Sequence, residues 1–449
     1  LASKAQGGFW KMSLKSTPVL GNGVRPVGEW HLSCNTCQAV FNWTITQSSC
    51  PECRAAGRIG LLECHFSPER KPSKDLIRQP SVIESYHSVL PPTKNGRTAW
   101  DLTGNTPLKR SKHIASNHGL ENLFFKIEAA NPTGSFKDRY AAVTVSLAKG
   151  AGYRCIAVSS TGNLGISVAY YASLSKMPCV VIVPSGTPTP FIDQLEHYGA
   201  YVAETTPEGR HLFLEYLGSL PFWFAAGLFL KRKVQNPYGI EGYKTFAYEV
   251  LSQLKTSPDF MMFPCARGNN LYGSWKGFQE ARAWGWSDSL PKMIACQPDG
   301  ADSLRVSLHR GASQAIELPA VSSVAFSTSE TVAGDESLSA IRESKGSAYG
   351  ASETRILQAV NELKAEGINV EPSSALPIAC LPTFLEEFHP SPAAIIVCVL
   401  TAGERNPTAH KHNHLPNRHE KLSPSIQSLK DYLARQCLDI ESDLSNPSD

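Results

Sequence analysis

From residue 123 onward, short apolar runs alternate along the chain with longer segments whose apolar residues recur at helical spacing. Each short run is apolar at nearly every position and is followed by a turn rich in glycine, serine or asparagine. Such runs are typical of strands covered on both faces, as in parallel sheets that lie between helices. The pattern predicts strands at 123–128, 155–159, 179–183, 201–203, 260–263, 293–297 and 395–400.

The regular alternation of these strands with helices predicts an α/β fold. The most apolar segment, Leu217–Leu230, contains Pro221 and is too short to span a bilayer, so it predicts a core helix followed by a turn. Residues 301–350 have weak periodicity, which predicts loops and short helices near the entrance of a site. The predicted helices are 141–149, 163–175, 190–197, 209–220, 242–254, 271–283, 352–366 and 425–438.

Near the N-terminus, two Cys-x-x-Cys pairs, Cys34 with Cys37 and Cys50 with Cys53, flank a short apolar run. Two such pairs can place four thiolates at the corners of a tetrahedron, which is the coordination that structural zinc prefers. With all four positions taken by sulfur, the metal would have no catalytic position and would stabilise a segment too small to fold alone. Four free cysteines or a redox pair are the alternatives, and Cys64 has no assigned role.

Changes in composition divide the chain into five regions. Within residues 99–407, the segment 103–108 predicts a turn with a short strand on either side. The regions are an N-terminal extension (1–28), a zinc ribbon (29–64), a Pro- and Ser-rich linker with a helix near 81–89 (65–98), a main body whose smaller subdomain spans about 155–245 (99–407), and a polar tail with a helix (408–449).

Charge and cysteine usage narrow the classes of function. The formal net charge of +3 over 449 residues gives no reason to expect nucleic acid or a membrane as a partner. Of the twelve cysteines, those outside the two pairs are scattered, mostly in apolar runs. This usage is typical of a reducing compartment. Residues 1–17 contain no apolar segment of the kind found in signal peptides, so we expect a cytoplasmic protein.

Four segments place polar side chains beyond the carboxyl ends of predicted strands, where parallel α/β sheets bind ligands. The segments are 131–139, 159–165, 265–270 and 400–403. The first delivers Lys137 at a strand-to-helix turn, where desolvation can lower its pKa and make its amine available for a Schiff base. A surface lysine is the alternative for that segment alone. The second and third lead into helix N-termini, which attract anions, and in the fourth Thr401 ends a buried strand.

Together these segments resemble the threonine synthase branch of the fold-type-II pyridoxal-phosphate enzymes. The resemblance spans roughly residues 85–407 and is most specific at 131–139, which matches the lysine motif of the family almost completely. The segments 236–245, 275–278 and 371–375 are similar as well, and the zinc ribbon resembles the cysteine-bearing N-terminus of some members. The resemblance implies two domains with parallel or mixed sheets, of tryptophan synthase β-like architecture, plus the small ribbon.

The resemblance also implies a role for each candidate residue. Lys137 would attach pyridoxal 5′-phosphate and later act as acid and base, and Asn163 would donate a hydrogen bond to the ring hydroxyl oxygen. Thr401 would face the pyridine nitrogen, and a neutral hydroxyl there favours elimination and replacement over transamination. The cofactor phosphate would be held by Arg267, Gly268, Asn269 and Asn270, and the substrate carboxylate by Ser160 and Thr161.

The sequence departs from the family pattern mainly where the substrate binds. Residues 266–270 are poorer in glycine than the usual phosphate loop, and Arg267 either makes a charge-assisted bond to phosphate or faces solvent. Residues 101–104 lack the glutamate of the family's Gly-Glu-Gly, and 402–407 are shorter than expected. We therefore expect that the cofactor chemistry is retained, and the departures favour a changed substrate, which is why alternatives to the family's usual substrate stay open.

The expected function is that of a pyridoxal-phosphate-dependent lyase of the threonine synthase type. It would eliminate phosphate from a phosphorylated amino acid, O-phosphohomoserine, and add water or another nucleophile. Three alternatives are β-replacement on O-phosphoserine or an activated serine, deamination of serine or threonine, and a non-catalytic ligand-binding protein. The expected partner is a small amino acid, without nucleic acid or membrane, and the expected state is a monomer or homodimer.

Overall fold

The computed structural model describes residues 19–20, 29–45, 49–93, 97–160, 162–227, 232–233, 236–404 and 418–438. The described residues up to Ser67 form one compact unit, and those from Pro68 onward form a second. Among these residues, none of the helices combines the length and the apolar character that crossing a membrane requires.

The first unit is built on a four-stranded antiparallel sheet. Its strands lie in the order β1-β3-β2-β4, and one short helix precedes the last strand in the chain. Since Cys34 ends β2 and Cys50 caps the helix, the two cysteine pairs lie at the same end of the sheet. The elements are β1 (Val19–Leu20), β2 (Trp30–Cys34), β3 (Val40–Asn42), α1 (Pro51–Ala55) and β4 (Leu62–Phe66).

The second unit contains two sheets whose strands alternate with helices along the chain. Its described strands are β5 (Leu108–Arg110), β6 (Asn122–Ile127), β7 (Cys155–Ser159), β8 (Cys179–Pro184), β9 (Tyr201–Thr205), β10 (Trp223–Ala225), β11 (Phe260–Pro264), β12 (Lys292–Pro298), β13 (Ser347–Ala351), β14 (Ile395–Leu400) and β15 (His419–Lys421).

The second unit contains short 3-10 helices, which include Ile83–Val89, Trp100–Leu102 and Pro372–Ala375, in addition to its described α-helices. The helices are α2 (His113–Asn117), α3 (Lys137–Gly150), α4 (Asn163–Leu174), α5 (Thr189–His197), α6 (Pro207–Ser219), α7 (Pro237–Leu254), α8 (Asn269–Ala283), α9 (Ser303–His309), α10 (Asp335–Glu343), α11 (Glu353–Ala365), α12 (Leu376–Phe388) and α13 (Ile426–Arg435).

The two sheets confirm the expected combination of parallel and mixed pairing. The smaller sheet has the order β10-β7-β8-β9-β15, and all its neighbouring strands are parallel. The larger sheet has the order β13-β12-β11-β14-β6-β5, and only β5 runs antiparallel to its neighbour. Every residue of β11 is buried, as expected of a strand with helices on both faces.

Helices α3 and α7 pack closely against each other. At Gly242 of α7, a Cβ atom would lie 2.0 Å from the carbonyl oxygen of Arg139 in α3, so only glycine permits this approach. The contact fixes the first turn of α3, which begins at Lys137.

Three sequence predictions differ from the structure. The prediction of a core helix with a turn over Leu217–Leu230 is wrong for its described residues, 217–227, because α6 ends at Ser219 and Trp223–Ala225 pairs with β7 as an edge strand; residues 228–230 lie outside the described residues. A strand follows the turn at 103–108, but a 3-10 helix, Trp100–Leu102, precedes it. Residues 301–350 contain the edge strand β13 in addition to short helices and loops.

Candidate active site

A cavity of about 170 Å³ lies where strand ends from both sheets meet helix starts. Ser159 comes from the end of β7, Pro264 from the end of β11, and Thr401 follows the end of β14. The first residues of α3, α4 and α8 complete the wall. This arrangement follows the rule that parallel sheets bind ligands beyond the carboxyl ends of their strands.

The structure brings together all the described residues that the sequence analysis assigned to the cofactor or the substrate. Thr161 lies outside the described residues. The others all line this one cavity: Lys137, Ser160, Asn163, Arg267, Gly268, Asn269, Asn270 and Thr401.

Lys137 is presented by a turn that is tied to the end of β14. The amide of Phe136 donates to the carbonyl of Thr401 at 2.9 Å, and the Lys137 ammonium nitrogen lies 4.2 Å from the centroid of the Phe136 ring. Lys137 is in the wall of the cavity and is surrounded by protein elsewhere. Burial lowers its pKa to about 8, against the opposing influence of the Glu371 and Glu330 carboxylates. A larger fraction of its amine is therefore neutral near neutral pH than for an ordinary lysine.

The neighbouring Asp138 shapes the same turn from the buried side. Its carboxylate accepts hydrogen bonds from the amide of Thr133 at 2.7 Å and from the Thr133 hydroxyl at 2.5 Å. Burial raises the pKa of Asp138 to about 6, although these hydrogen bonds favour its charged form. These hydrogen bonds close the loop between Thr133 and α3, and Lys137 lies where this loop enters the helix.

A fully buried ion network supports the start of α3. The Arg139 guanidinium donates to both carboxylate oxygens of Glu128, at 2.7 and 2.8 Å, and to Glu249 at 2.8 Å. The Lys126 ammonium lies 2.5 Å from Glu249, and none of the four side chains is exposed. The network joins β6, α3 and α7, so the backbone that carries Lys137 is held by charge as well as by packing.

Asn163 and Glu371 face each other beside Lys137. The Asn163 amide nitrogen is 3.3 Å from a carboxylate oxygen of Glu371, and both residues line the cavity. Glu371 precedes the 3-10 turn Pro372–Ala375, and its carboxylate raises the pKa of Lys137. An amide donor and a carboxylate therefore accompany the lysine amine on this side of the cavity.

Ser160 is buried between the end of β7 and the start of α4. Its hydroxyl accepts from the amide of Gly162 at 3.1 Å and lies 3.2 Å from the carbonyl of the same residue. These contacts orient the turn that leads into α4, whose N-terminus carries a partial positive charge. The start of α4 can hold an anionic group.

The loop that leads into α8, residues 267–270, is a second place that can hold an anionic group, after the start of α4. Gly268 has φ of 81°, and a Cβ there would lie 2.4 Å from the Ser337 hydroxyl, so glycine is required. Arg267 has a side chain only 18% exposed, donates to the carbonyl of Lys233 at 3.2 Å and lines the cavity rather than facing solvent. The Asn270 amide nitrogen is buried and has no hydrogen-bond partner among the described residues, as expected of a group that binds a ligand.

Thr401 is held at the far end of β14 by a second hydroxyl. Its hydroxyl lies 2.9 Å from that of Ser374, which also bonds the backbone amide and carbonyl of Ala402 at 2.8 and 2.9 Å. Both residues are buried. The Thr401 side chain is therefore a fixed, neutral group at the cavity wall.

Four cavity or supporting residues were not singled out from the sequence. Glu371 and Ser374 belong to the segment 371–375 that resembles the family, so this match was the signal available for them. Glu330 lies in the weakly periodic region, and Arg210 lies within a helix of ordinary pattern. Nothing in their local sequence indicates that Glu330 and Arg210 reach the cavity, because tertiary contacts alone bring them there.

In the first unit, the sulfur atoms of Cys34, Cys37, Cys50 and Cys53 all lie within 4.8 Å of one another. The Cys34–Cys53 and Cys37–Cys50 sulfur distances are 3.6 and 3.7 Å. A Cβ at Gly60 would lie 2.6 Å from two of these sulfurs, so the glycine makes room for the cluster. The cysteine pairs are thus brought together as the sequence predicted.

Most of the second unit is similar in sequence to known proteins. The model of the family described as pyridoxal-phosphate dependent enzyme matches residues 99–402. The threonine synthase of Methanocaldococcus jannaschii is 32% identical over 364 residues, which cover 80% of this chain and 89% of that protein. The threonine synthase of Synechocystis is 31% identical over 368 residues, which cover 79% of this chain and 91% of that protein.

Solved structures agree in fold. Threonine deaminase isoform 2 from Solanum lycopersicum, in its processed form, has a TM-score of 0.59 at 21% identity and covers 76% of this chain and 92% of its own. Maize serine racemase has a TM-score of 0.57 at 22% identity and covers 74% of this chain and 92% of its own. At this identity the likeness concerns the fold alone.

Proposed function

Because the chain belongs to the family of pyridoxal-phosphate-dependent enzymes, we propose that it is a lyase of the threonine synthase type that acts on O-phosphohomoserine. It would eliminate phosphate from this amino acid and add water to the product. The observation that carries the proposal is Lys137, a lysine of lowered pKa in a cavity between two helix N-termini. That combination suits an aldehyde cofactor with a phosphate group.

The residues around the cavity fit pyridoxal 5′-phosphate. Lys137 would hold its aldehyde carbon, and the buried Asn270 amide and the start of α8 would hold its phosphate, together with Arg267, Gly268 and Asn269. Asn163 would donate to the ring hydroxyl oxygen, and the neutral Thr401 hydroxyl would face the ring nitrogen. When bound, the cofactor supplies an electron sink beside the amino group of the substrate.

The chain's own residues would position the substrate and move its protons. Ser160, Thr161 and the start of α4 would bind the substrate carboxylate, which orients the Cα–H bond towards Lys137. Lys137 would remove that proton on its amine and return it later, and a pKa near 8 suits both tasks. Glu371 would set how strongly the amine holds the proton.

For the ribbon, we propose a structural zinc ion bound by Cys34, Cys37, Cys50 and Cys53. Zinc–sulfur bonds of about 2.3 Å in a tetrahedron require sulfur atoms about 3.8 Å apart, close to the two distances of 3.6 and 3.7 Å. Amides of Cys37 and Cys53 lie 3.5 Å from the sulfurs of Cys34 and Cys50, which favours thiolates. The ion would have no open position for a substrate.

We also propose that the protein works in the cytoplasm as a monomer or homodimer. All twelve cysteines are free, as suits a reducing compartment. All the proposed cofactor and substrate contacts come from one chain, so a monomer would have a complete site.

The attachment point can be tested with Lys137→Ala. The wild-type protein, incubated with pyridoxal 5′-phosphate, should gain a visible absorbance band, and borohydride should fix the cofactor on the peptide that contains Lys137. Mass spectrometry of Lys137→Ala should find no such adduct, because the proposal assigns the aldehyde to the Lys137 amine alone. Lys149→Ala, at the opposite end of α3, is the matched control and should keep it. An unchanged adduct in Lys137→Ala would contradict the assignment.

The substrate can be tested by phosphate release from O-phosphohomoserine and O-phosphoserine, measured side by side. Preferred release from O-phosphohomoserine, with threonine as product, is the expected result. Preferred release from O-phosphoserine would instead support β-replacement. A protein that binds the cofactor but releases phosphate from neither compound would refute the proposed substrate class.

A further inference from the structure

Arg210 brings a guanidinium group into the candidate active site from the smaller sheet. It lies in the first turns of α6, and together with Leu214, one turn further on, it forms part of the cavity wall. Its Nε donates to the hydroxyl of Ser159, the last residue of β7, at 2.9 Å. The start of α6 is itself fixed, because the Thr206 hydroxyl accepts from the amide of Gly209 at 3.2 Å.

The other cations of the cavity wall already have tasks in the proposed function. Lys137 and Arg267 belong to the proposed cofactor contacts, and Glu371 faces Asn163. Glu330 lies 3.9 Å from Arg267, and its charge also reaches Arg210. Arg210 is therefore the cation of the cavity wall to which the proposed function has given no task.

Arg210 belongs to neither of the two helix starts that can hold an anion. The start of α8 suits the cofactor phosphate, and the start of α4 suits the substrate carboxylate, but Arg210 comes from a third helix, α6. It reaches the cavity beside Ser159, next to the residue that begins the carboxylate turn. Burial lowers the pKa of Arg210, so its guanidinium has lost part of its contact with water, and a bound anion would stabilise it in addition to the charge of Glu330.

We propose that Arg210 is a specificity-determining residue that binds a second anionic group, a phosphate at the far end of the substrate side chain. This inference rests on the proposed function and adds a residue that selects for that substrate class. The planar guanidinium offers paired donors that match phosphate oxygens, while its bond to Ser159 keeps the fork in one orientation. An amino acid with an uncharged side chain would leave Arg210 without this partner.

The inference can be tested by binding of a phosphonate that cannot be eliminated. L-2-Amino-5-phosphonopentanoate replaces the ester oxygen of O-phosphohomoserine by carbon, and L-norvaline has the same carbon chain without the phosphonate. Both are titrated into the cofactor-loaded protein and followed by the change in cofactor absorbance. Arg210→Gln should weaken phosphonate binding by roughly 10- to 100-fold, the loss of a charge-assisted contact, and norvaline binding by less than about twofold.

Two further variants make the result interpretable. Arg210→Lys keeps the charge but loses the fork, so it should restore part of the phosphonate affinity. Arg435→Gln removes a half-exposed arginine that bonds Glu420 outside the cavity, and it should leave both affinities unchanged. Thermal melting of each variant shows whether it is folded. If Arg210→Gln is misfolded, Arg210→Lys decides the test. An unchanged phosphonate affinity in Arg210→Lys would contradict the role proposed for the guanidinium.

The outcomes separate this inference from the proposed function. Equal weakening of both ligands would mean that Arg210 acts on the shared carboxylate, and no weakening would make it a bystander; either result overturns the inference. Phosphate release from O-phosphohomoserine with unchanged kcat/KM in Arg210→Gln would also overturn it while the proposed function stands. Conversely, Arg210-dependent phosphonate binding without any phosphate release would leave the inference standing and remove the proposed function.

Discussion

At the scale of single residues, Lys137 experiences two opposing influences. Its burial disfavours the charged ammonium, while the carboxylates of Glu371 and Glu330 favour it. Burial is the larger effect, and the pKa falls to about 8. The residue remains a mixture of amine and ammonium near neutral pH, so it can both take up and release a proton.

This balance predicts a pH dependence for cofactor attachment. The neutral amine is the reactive form, so the rate at which apoprotein captures pyridoxal 5′-phosphate should rise with pH through a midpoint near 8 rather than near 10.5. Glu371→Gln removes a carboxylate that raises the Lys137 pKa, and the midpoint should therefore move to lower pH. Stopped-flow absorbance at a series of pH values measures both midpoints.

The control for this prediction is Glu362→Gln, which removes a carboxylate paired with Arg355 away from the cavity. Its midpoint should equal that of the wild type. A midpoint that does not move in Glu371→Gln would mean that this carboxylate has no influence on the lysine.

At the scale of elements, the start of α3 depends on ions that have no contact with solvent. Arg139→Ala would leave Glu128 and Glu249 buried without their guanidinium, so we expect the free energy of unfolding to fall by about 3–5 kcal/mol. Arg97→Ala breaks a pair with Glu84 whose side chains are 38% and 35% exposed, and we expect it to cost no more than about 1 kcal/mol. Urea unfolding measures both values, and equal costs would argue against the network.

The elements also show what the sequence pattern can and cannot predict. The inner strands β8, β11, β12 and β14 are apolar because helices cover both faces, and their positions were predicted closely. The edge strands β10 and β15 are only three residues long, and β13 begins in the weakly periodic region, so the pattern predicted none of these three strands. Helix α12 was missed because Pro382 interrupts its pattern.

The residues of the candidate site also differ in whether the sequence pattern predicts them. Lys137, Asn163 and Thr401 stand at junctions of strand and helix, which the chain's periodicity reveals. Arg210 and Glu330 enter the cavity from a helix face and a loop, and only the packing of distant segments brings them there. Local pattern therefore predicts the ends of the inner strands, and tertiary structure is needed for the groups that come from elsewhere.

At the scale of the whole molecule, the cysteine cluster and the cavity belong to different compact units. Cys50→Ser should lower zinc content, measured by metal analysis of the reduced protein, from one ion per chain towards none. The cofactor absorbance should be unchanged, because every described cavity residue lies in the second unit. Cys64→Ser, a buried ribbon cysteine outside the cluster, is the control and should retain the metal. Full zinc retention in Cys50→Ser would exclude the proposed ligand set.

Pairing between distant strands has a consequence for the synthesis of the chain. Asn122 and Ala393, beside the β6–β14 pair, share a hydrogen bond across 271 residues of sequence, and Glu204 and His419 meet across 215. Both sheets therefore close only after the ribosome has made nearly all of the described chain, and contacts of such long range form slowly. Until then, the edge of β6 that pairs with β14 has no partner strand, and the Lys137 turn lacks the strand that anchors it. We expect nascent chains to depend on chaperones, and the ability to bind cofactor to be acquired at the last stage of translation.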